Sequence, residues 1–203
     1  MPRRRRKIIV FVATSADGYI ARPDGDIEWL NRRPHDIDYG MHAFVKRVDT
    51  VLWGRKTYDW VRAYYAAHAV PGSPFDASKT HYVFSHTPPA DPAPEVTFVT
   101  EPVSDFARRL RATPGRDIWM MGGAGLIASF LDAGEVDEFD INVIPTLIGD
   151  GIPLVAPRHR DIELQVLSVR TFADGVVRMR YAVGAPPAEV RYTRKSRARS
   201  SAG

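Results

Sequence analysis

The 203-residue sequence contains no cysteine, and this absence excludes several kinds of site at once. A disulfide framework, a thiolate nucleophile and a cysteine-ligated zinc ion are all ruled out. The six histidines show no H-x-x-x-H or similar spacing, so the sequence predicts no metal site. The chain also lacks an apolar run near the roughly 20 residues that a membrane span requires. What is present is an ordinary globular composition, 44% hydrophobic and 26% charged, in a length that fits one domain.

Acidic residues are scarce at the two ends of the chain, where basic residues accumulate. Ten of the 28 lysines and arginines lie there, against Glu189 alone of the 24 acidic residues. These ten are Arg3, Arg4, Arg5, Arg6, Lys7, Arg191, Arg194, Lys195, Arg197 and Arg199. The net charge of +4 therefore belongs to the ends, and the part between them is mildly acidic. We predict disordered basic tails at residues 1–6 and 185–203, with contact to nucleic acid only through them.

The apolar run at residues 8–13 follows the N-terminal arginines, as in the start of a secretory signal peptide. It ends at the turn sequence of Ser15 to Gly18, which is too soon for such a peptide. We therefore interpret the run as the first strand of the domain. Together with the absence of cysteine, this favours a cytoplasmic protein.

Apolar, β-branched segments alternate with segments of helical spacing along residues 7–184. The sequence predicts strands at residues 8–14, 50–53, 81–85, 95–100, 117–121 and 138–144. It predicts helices at residues 35–48, 56–63 and 103–112, and a fourth that ends at 131. Residues 162–172 and 176–183 alternate as strands and flank a turn, which indicates a hairpin. The prediction is a three-layer α/β/α domain with a mixed, mostly parallel sheet and an antiparallel C-terminal hairpin.

The sharpest local motif is Gly122-Gly123-Ala124-Gly125, which lies between a predicted strand and a predicted helix. Glycine allows a ligand to approach the backbone closely, and the N–H groups of a helix start attract phosphate. The alternative is a strand-to-helix turn without a ligand. The motif lies past the midpoint and lacks an acidic residue at the end of the next strand, so a Rossmann fold is not predicted.

Two further strand-to-loop junctions carry groups that suit a phosphorylated ligand. Gly54-Arg55-Lys56-Thr57 offers positive charge and a hydroxyl at a helix start, and Ser85-His86 follows another strand. Each alone is also typical of a solvated helix start or loop. Three such junctions together favour a cofactor that crosses the carboxyl ends of a parallel sheet.

Five segments in register resemble the dihydrofolate reductase superfamily. They are residues 9–21, 52–58, 82–85, 118–131 and 137–154. They are most similar to the reductase (C-terminal) domain of the bifunctional riboflavin-biosynthesis deaminase-reductase and to its stand-alone relatives. The likeness extends over residues 7–183 and implies a dihydrofolate reductase-like fold, an NADPH cofactor and a homodimer.

The resemblance assigns the cofactor contacts residue by residue. Ala13 and Ile20 match positions that hold the nicotinamide carboxamide. The phosphate positions are matched by Gly54, Arg55 and Thr57, and by the turn formed by Gly122, Gly123, Ala124 and Gly125. Ser85 and His86 match positions near the adenosine ribose and its 2′-phosphate, so the resemblance implies NADPH rather than NADH.

The resemblance also implies substrate contacts at Asp17, Trp29 and Asn142. Folate enzymes place an acid after the tryptophan, and here Glu28, Asp36 and Asp38 compete for that role; we take Asp36 and Asp38 as catalytic candidates. Folate enzymes have a threonine where this chain has Asn142. The function implied is an NADPH-dependent reductase acting on a C=N or C=O bond of a pyrimidine- or pteridine-like substrate, led by 5-amino-6-(5-phosphoribosylamino)uracil. Dihydrofolate reduction and a non-catalytic nucleotide-binding or tail-mediated interaction protein are the alternatives.

Overall fold

The structure is a computed structural model that describes residues 4–31, 37–159 and 161–184. Residues 1–3, the expected C-terminal tail at 185–203 and the candidate Asp36 lie outside the described residues. The strands are β1 (Ile8–Ser15), β2 (Tyr19–Ala21), β3 (Val48–Gly54), β4 (Thr80–Phe84), β5 (Val96–Val99), β6 (Asp117–Gly122), β7 (Glu138–Ile144), β8 (Ile152–Pro153), β9 (Leu164–Thr171) and β10 (Val177–Val183). The helices are α1 (Glu28–Asn31), α2 (Met41–Arg47), α3 (Arg55–Ala67), α4 (Val103–Ala112) and α5 (Ala124–Asp132).

Eight strands form one sheet in the order β5-β4-β3-β6-β1-β7-β10-β9. The neighbours from β5 to β7 are parallel, whereas β10 runs antiparallel to both β7 and β9. The predicted mixed, mostly parallel sheet with an antiparallel C-terminal hairpin is therefore confirmed. Because parallel strands end at one edge of a sheet, the loops that follow β1, β3, β4, β6 and β7 meet there.

Helices cover both faces of this sheet. On one face α4 and α5 pack through Phe106 and Phe130 in the largest apolar cluster. On the other face α2 contributes Phe44 and α3 contributes Tyr58. β1 lies between these layers, and Ile8 is fully buried, as the unbroken apolar run predicts for a central parallel strand. Each such aliphatic side chain stabilises the fold by about 1.5–3 kcal/mol through removal from water.

The helix expected at residues 35–48 is shorter in the structure, where α2 begins at Met41. The preceding Gly40 has φ 93°, a left-handed conformation that interrupts helical hydrogen bonding. At the other end Val48 is already extended and opens β3. The short elements α1, β2 and β8 were not predicted, because two to four residues carry no readable periodicity.

For residues 4–6, the described part of the segment predicted to be disordered (residues 1–6), the structure differs from the prediction. Arg6 is 5% exposed and donates to Asp49 at 2.5 Å and to Thr50 at 2.7 Å. Arg4 pairs with the buried Asp117 at 2.7 Å. Residues 4–6 therefore belong to the folded domain, because distant strands supply acceptors that a local charge run does not reveal.

Two features are absent from the described residues. None of the helices there has the length and apolarity to cross a membrane. Those residues also contain no group of three or more histidine, aspartate or glutamate side chains that could hold a metal ion.

Candidate functional site

Two glycine turns come into direct contact at the carboxyl edge of the sheet. Trp53 at the end of β3 is in register with Gly122 at the end of β6. A Cβ added to Gly54 would lie 3.2 Å from the Gly123 nitrogen and 3.3 Å from the Gly122 oxygen. The peptide bond between Gly122 and Gly123 is cis. The nearest atoms across the contact therefore belong to the backbone, and a side chain at Gly54 would be crowded against them.

The hydroxyl of Thr57 faces the same contact. A Cβ on Gly123 would approach the Thr57 Oγ1 atom to 3.1 Å. By contrast, a Cβ on Gly125 would meet nothing within 4 Å. The structure therefore brings the residues of both phosphate motifs together around one hydroxyl, with open space beside Gly125.

The two helices that begin here present bare N-termini to this space. Neither α3 nor α5 has a side-chain hydrogen bond to its cap, and neither has an acidic residue in its first turn. The first N–H groups of a helix have no intrahelical partner, and they carry partial positive charge. Two such helix ends, beside a glycine turn and a hydroxyl, suit a pyrophosphate, because it has two linked phosphate groups that each carry a negative charge.

Arg55 connects this phosphate region to the loop after β4. Its Nε atom donates to both Asp59 oxygens at 2.8–2.9 Å, and its Nη1 atom donates to the Thr87 carbonyl oxygen. The Ser85 hydroxyl donates to that same carbonyl at 3.0 Å. His86 lies exposed beside Ser85. Arg55, Ser85 and His86, separated by about 30 residues of sequence, therefore belong to one surface.

A second group of predicted residues lies on the sheet face that α1 and α2 cover. Ala13 on β1 is in register with Asn142 on β7. Trp29, which α1 contributes, is 2% exposed and packs in the cluster that contains Ile144 and Ala13. The structure thus places Trp29 and Asn142 around Ala13, the position predicted to contact the nicotinamide.

Two buried polar atoms at this place have no hydrogen-bond partner among the described residues. They are the donor Nε1 of Trp29 and the acceptor Oδ1 of Asn142. Burial of an unsatisfied donor or acceptor costs about 1–3 kcal/mol, so such atoms are rare outside binding sites. One donor and one acceptor are therefore available to a ligand that lies against Ala13.

Ile20 lies in the short strand β2, which follows β1 in the chain and pairs with β8. Asp17, in the preceding loop, ties this region to the loop after β7. Its carboxylate accepts the N–H groups of Ile148 at 3.1 Å and Gly149 at 2.8 Å. Hydrogen bonding from Ser15, then from these N–H groups, lowers the pKa of Asp17. The observed contacts anchor a loop, and contact of Asp17 with substrate stays a prediction.

Of the two catalytic candidates, the structure describes Asp38 but not Asp36. Asp38 is exposed, and its Oδ1 accepts the N–H groups of Gly40 at 3.1 Å and His42 at 3.2 Å, at the start of α2. The His42 N–H bond is the main reason that the pKa of Asp38 is lowered. A carboxylate held ionised in this way is a poor proton donor. Asp36 lies outside the described residues, and its role stays a prediction.

The sequence reasoning missed Arg178, which lies beside Asn142 on β10. Its guanidinium binds the buried Asp140 through two hydrogen bonds of 2.6 Å. This pair links residues 38 positions apart, so no local motif reveals it. The only sequence signal is the alternation of Arg178 and Arg180 with apolar residues in the predicted hairpin.

The chain is similar to known proteins along most of its length. The family model of the RibD C-terminal domain matches residues 6–178. YwjB of Bacillus subtilis (strain 168) is 37% identical over 171 residues, which cover 84% of this chain and 95% of YwjB. The name of that relative states no activity.

Solved structures agree as well. A crystal structure from Shewanella sp. PV-4 is 29% identical, with a TM-score of 0.77 over 88% of this chain and 99% of that one. Dihydrofolate reductase from Enterococcus faecalis, solved with NADP(H), is 14% identical, with a TM-score of 0.58 over 88% of this chain and 97% of its own. The second likeness shows a shared fold.

Proposed function

Because the chain belongs to the RibD C-terminal domain family, a family of NAD(P)H-dependent reductases, we propose that it is an NADPH-dependent reductase of a small pyrimidine- or pteridine-like substrate. The substrate that we put first is 5-amino-6-(5-phosphoribosylamino)uracil. The observation that carries the proposal is the contact of the Gly54 turn with the Gly122–Gly123 turn, beside two bare helix N-termini. That arrangement suits the pyrophosphate of a dinucleotide.

The residues at the sheet edge fit NADPH and a substrate beside its nicotinamide. A Cβ on Gly54 or Gly123 would fill the contact between the turns, so these positions keep the backbone open to phosphate. The unsatisfied atoms of Trp29 and Asn142 lie around Ala13, where a flat substrate ring with both donors and acceptors would satisfy them. Bound NADPH would supply a hydride from C4 of its nicotinamide.

The chain's own residues would then bind and orient the two reactants. The Gly122–Gly125 turn and Thr57 would hold the pyrophosphate, and Arg55 with Ser85 and His86 would face the 2′-phosphate. Ala13 and Ile20 would contact the carboxamide. These tasks are positional and electrostatic, because the cofactor carries the redox chemistry.

On the substrate side, Trp29 would donate to the substrate ring and Asn142 would accept from it. Burial makes both hydrogen bonds more valuable, because water cannot compete with the substrate. Asp36 remains the predicted proton donor. Asp38, whose pKa is lowered by the N–H groups at the start of α2, would instead hold that helix start in place.

The proposed activity can be tested by the loss of NADPH absorbance on addition of 5-amino-6-(5-phosphoribosylamino)uracil, with dihydrofolate as the competing substrate. We expect oxidation with the uracil compound, at a kcat/KM at least about tenfold above that for dihydrofolate. Preferred oxidation with dihydrofolate would select the alternative reductase. Cofactor binding without turnover of either compound would favour a non-catalytic nucleotide-binding protein.

We also propose that the protein acts in the cytoplasm as a homodimer. The absence of cysteine suits a reducing compartment. The edge strand β9 exposes Val166 and Val169, and this apolar surface supports association with a second copy.

A further inference from the structure

A row of three side chains crosses the sheet on the face that α1 and α2 cover. Ala13 on β1 is in register with Asn142 on β7, and Asn142 is in register with Arg178 on β10. Cross-strand partners lie on the same face of a sheet, so the three side chains are neighbours. A substrate that satisfies Asn142 Oδ1 beside Ala13 therefore lies next to the aliphatic stem of Arg178, whose guanidinium extends along the same face toward Phe11 and Asp140.

Arg178 is held in place on three sides. Its Nε and Nη2 atoms each bond to Asp140 at 2.6 Å, and Asp140 is 1% exposed. Its guanidinium lies 5.5 Å from the centre of the Phe11 ring. Its third nitrogen, Nη1, lies against Gly40, where an added Cβ would overlap with it. The absence of a side chain at Gly40 therefore leaves space for this nitrogen.

The buried carboxylates nearest to Arg178 are already paired. Glu138 and Asp140 are each bound by arginines, so neither is a free acceptor or an uncompensated negative charge. Hydrogen bonding to Asp140, ahead of the charge of Asp38, raises the pKa of Arg178, which therefore stays charged. Arginine has donors and no acceptor, so a ligand beside it must present acceptors.

We propose that Arg178 is a substrate-binding residue that selects a pyrimidine with a carbonyl-rich or anionic edge over one with an amino-substituted edge. This inference rests on the proposed function and names the substrate class of the same site. A 2,4-dioxopyrimidine presents carbonyl oxygens to Arg178 and a ring N–H to Asn142 Oδ1. A 2,4-diaminopyrimidine presents amino donors, which would face the donors of Arg178 without a hydrogen bond.

Two probes separate these classes: orotate, an anionic 2,4-dioxopyrimidine, and 2,4-diaminopyrimidine. Their affinities for the full chain can be measured by isothermal titration at neutral pH, with and without saturating NADP⁺. We expect the wild-type protein to bind orotate at least about tenfold more tightly than 2,4-diaminopyrimidine, the ratio set by a hydrogen bond to a charged group. The reverse preference, or no binding of orotate, would overturn the proposal even if no variant folds.

The variants test whether Arg178 causes the preference. Arg178→Gln removes the cation but leaves Asp140 buried with a weaker partner, so the double variant Arg178→Gln/Asp140→Asn is made beside it. Arg170→Gln is the matched control, because Arg170 is the exposed cross-strand partner of Arg178 on β9. Circular dichroism and thermal unfolding establish that each variant is folded.

We expect the folded Arg178 variants to lose about tenfold in orotate affinity and to keep their NADP⁺ affinity, while Arg170→Gln retains both. Orotate affinity within twofold of wild type in the double variant would refute the role of Arg178. Failure of the wild-type protein to bind NADP⁺ would instead count against the proposed cofactor, so the two ideas can fail separately.

Discussion

Replacement of Gly54 by alanine tests the contact between the two phosphate turns. Gly54 has φ −76° and ψ 148°, which alanine adopts without strain, so the change adds only a methyl group. That methyl group would lie 3.2 Å from the Gly123 nitrogen and 3.3 Å from the Gly122 oxygen. Both neighbours are backbone atoms, so the turns must separate by a few tenths of an ångström.

The expected cost follows from overpacking at a closed contact. Insertion of a methyl group into a packed site costs about 1–3 kcal/mol. For a chain of this length, each kcal/mol lowers Tm by about 2–4 °C. Displacement of the Gly122–Gly123 turn should also weaken NADPH binding by at least about tenfold, or about 1.4 kcal/mol. Thermal unfolding and a fluorescence titration measure the two effects.

Gly125→Ala is the matched stability control, because a Cβ there meets nothing within 4 Å and the residue lies in the first turn of α5. It should raise the free energy of unfolding by about 0.5–1 kcal/mol through the better helix propensity of alanine. If Gly54→Ala kept both the wild-type Tm and the wild-type affinity for NADPH, the turns could not be in contact as described.

Three further predictions concern specificity, acid stability and assembly. Arg55→Ala should weaken NADPH binding by about tenfold and leave NADH binding unchanged. The control variant Arg62→Ala, on the same helix, should change the affinity for neither nucleotide. Equal loss of affinity for both nucleotides in Arg55→Ala would rule out a 2′-phosphate contact. Hydrogen bonds from Ser78, then Lys79, lower the pKa of Asp76 from 3.8 to about 2, so its stabilisation is present above 3.8 and is lost as the pH falls towards 2. Asp76→Asn should therefore flatten the pH dependence of unfolding in that window, and an unchanged slope would contradict the prediction. We propose that a second copy of the chain covers the edge strand β9, where Val169 is 58% exposed. Val169→Lys should therefore convert the dimer to a monomer in analytical sedimentation. A wild-type protein that is already monomeric would refute this.

The sequence predicts features whose physical cause is local. The unbroken apolar run of β1 reflects burial within one strand and agrees with the structure. The alternation at residues 162–172 and 176–183 correctly predicts that β9 and β10 pair as a hairpin, although neither strand alternates in burial. The glycine turns at Gly54 and Gly122 are likewise readable, since the strand-to-helix transition occurs within a few residues. The start of α2 was missed because it depends on the left-handed conformation of Gly40, which helical spacing does not disclose.

Features built from distant residues could not be predicted in the same way. Arg6 belongs to a charge run that favours a solvated tail, yet it is 5% exposed and donates to Asp49 on β3. Arg178 and Asp140 are ordinary members of two separate strands until the antiparallel pairing of β10 with β7 brings them together. The contacts of Asp38 with the start of α2 likewise emerge only from the fold.

The most direct test of the central claim is a titration of the purified protein with NADPH and with NADH, followed by tryptophan fluorescence and energy transfer to the nicotinamide. The sequence has four tryptophans, and the buried Trp29 lies in the cluster around Ala13, so nicotinamide binding should quench its emission. We expect NADPH to bind at micromolar concentration and NADH to bind clearly more weakly. Absence of binding by either nucleotide at millimolar concentration would contradict the cofactor site and leave only the fold.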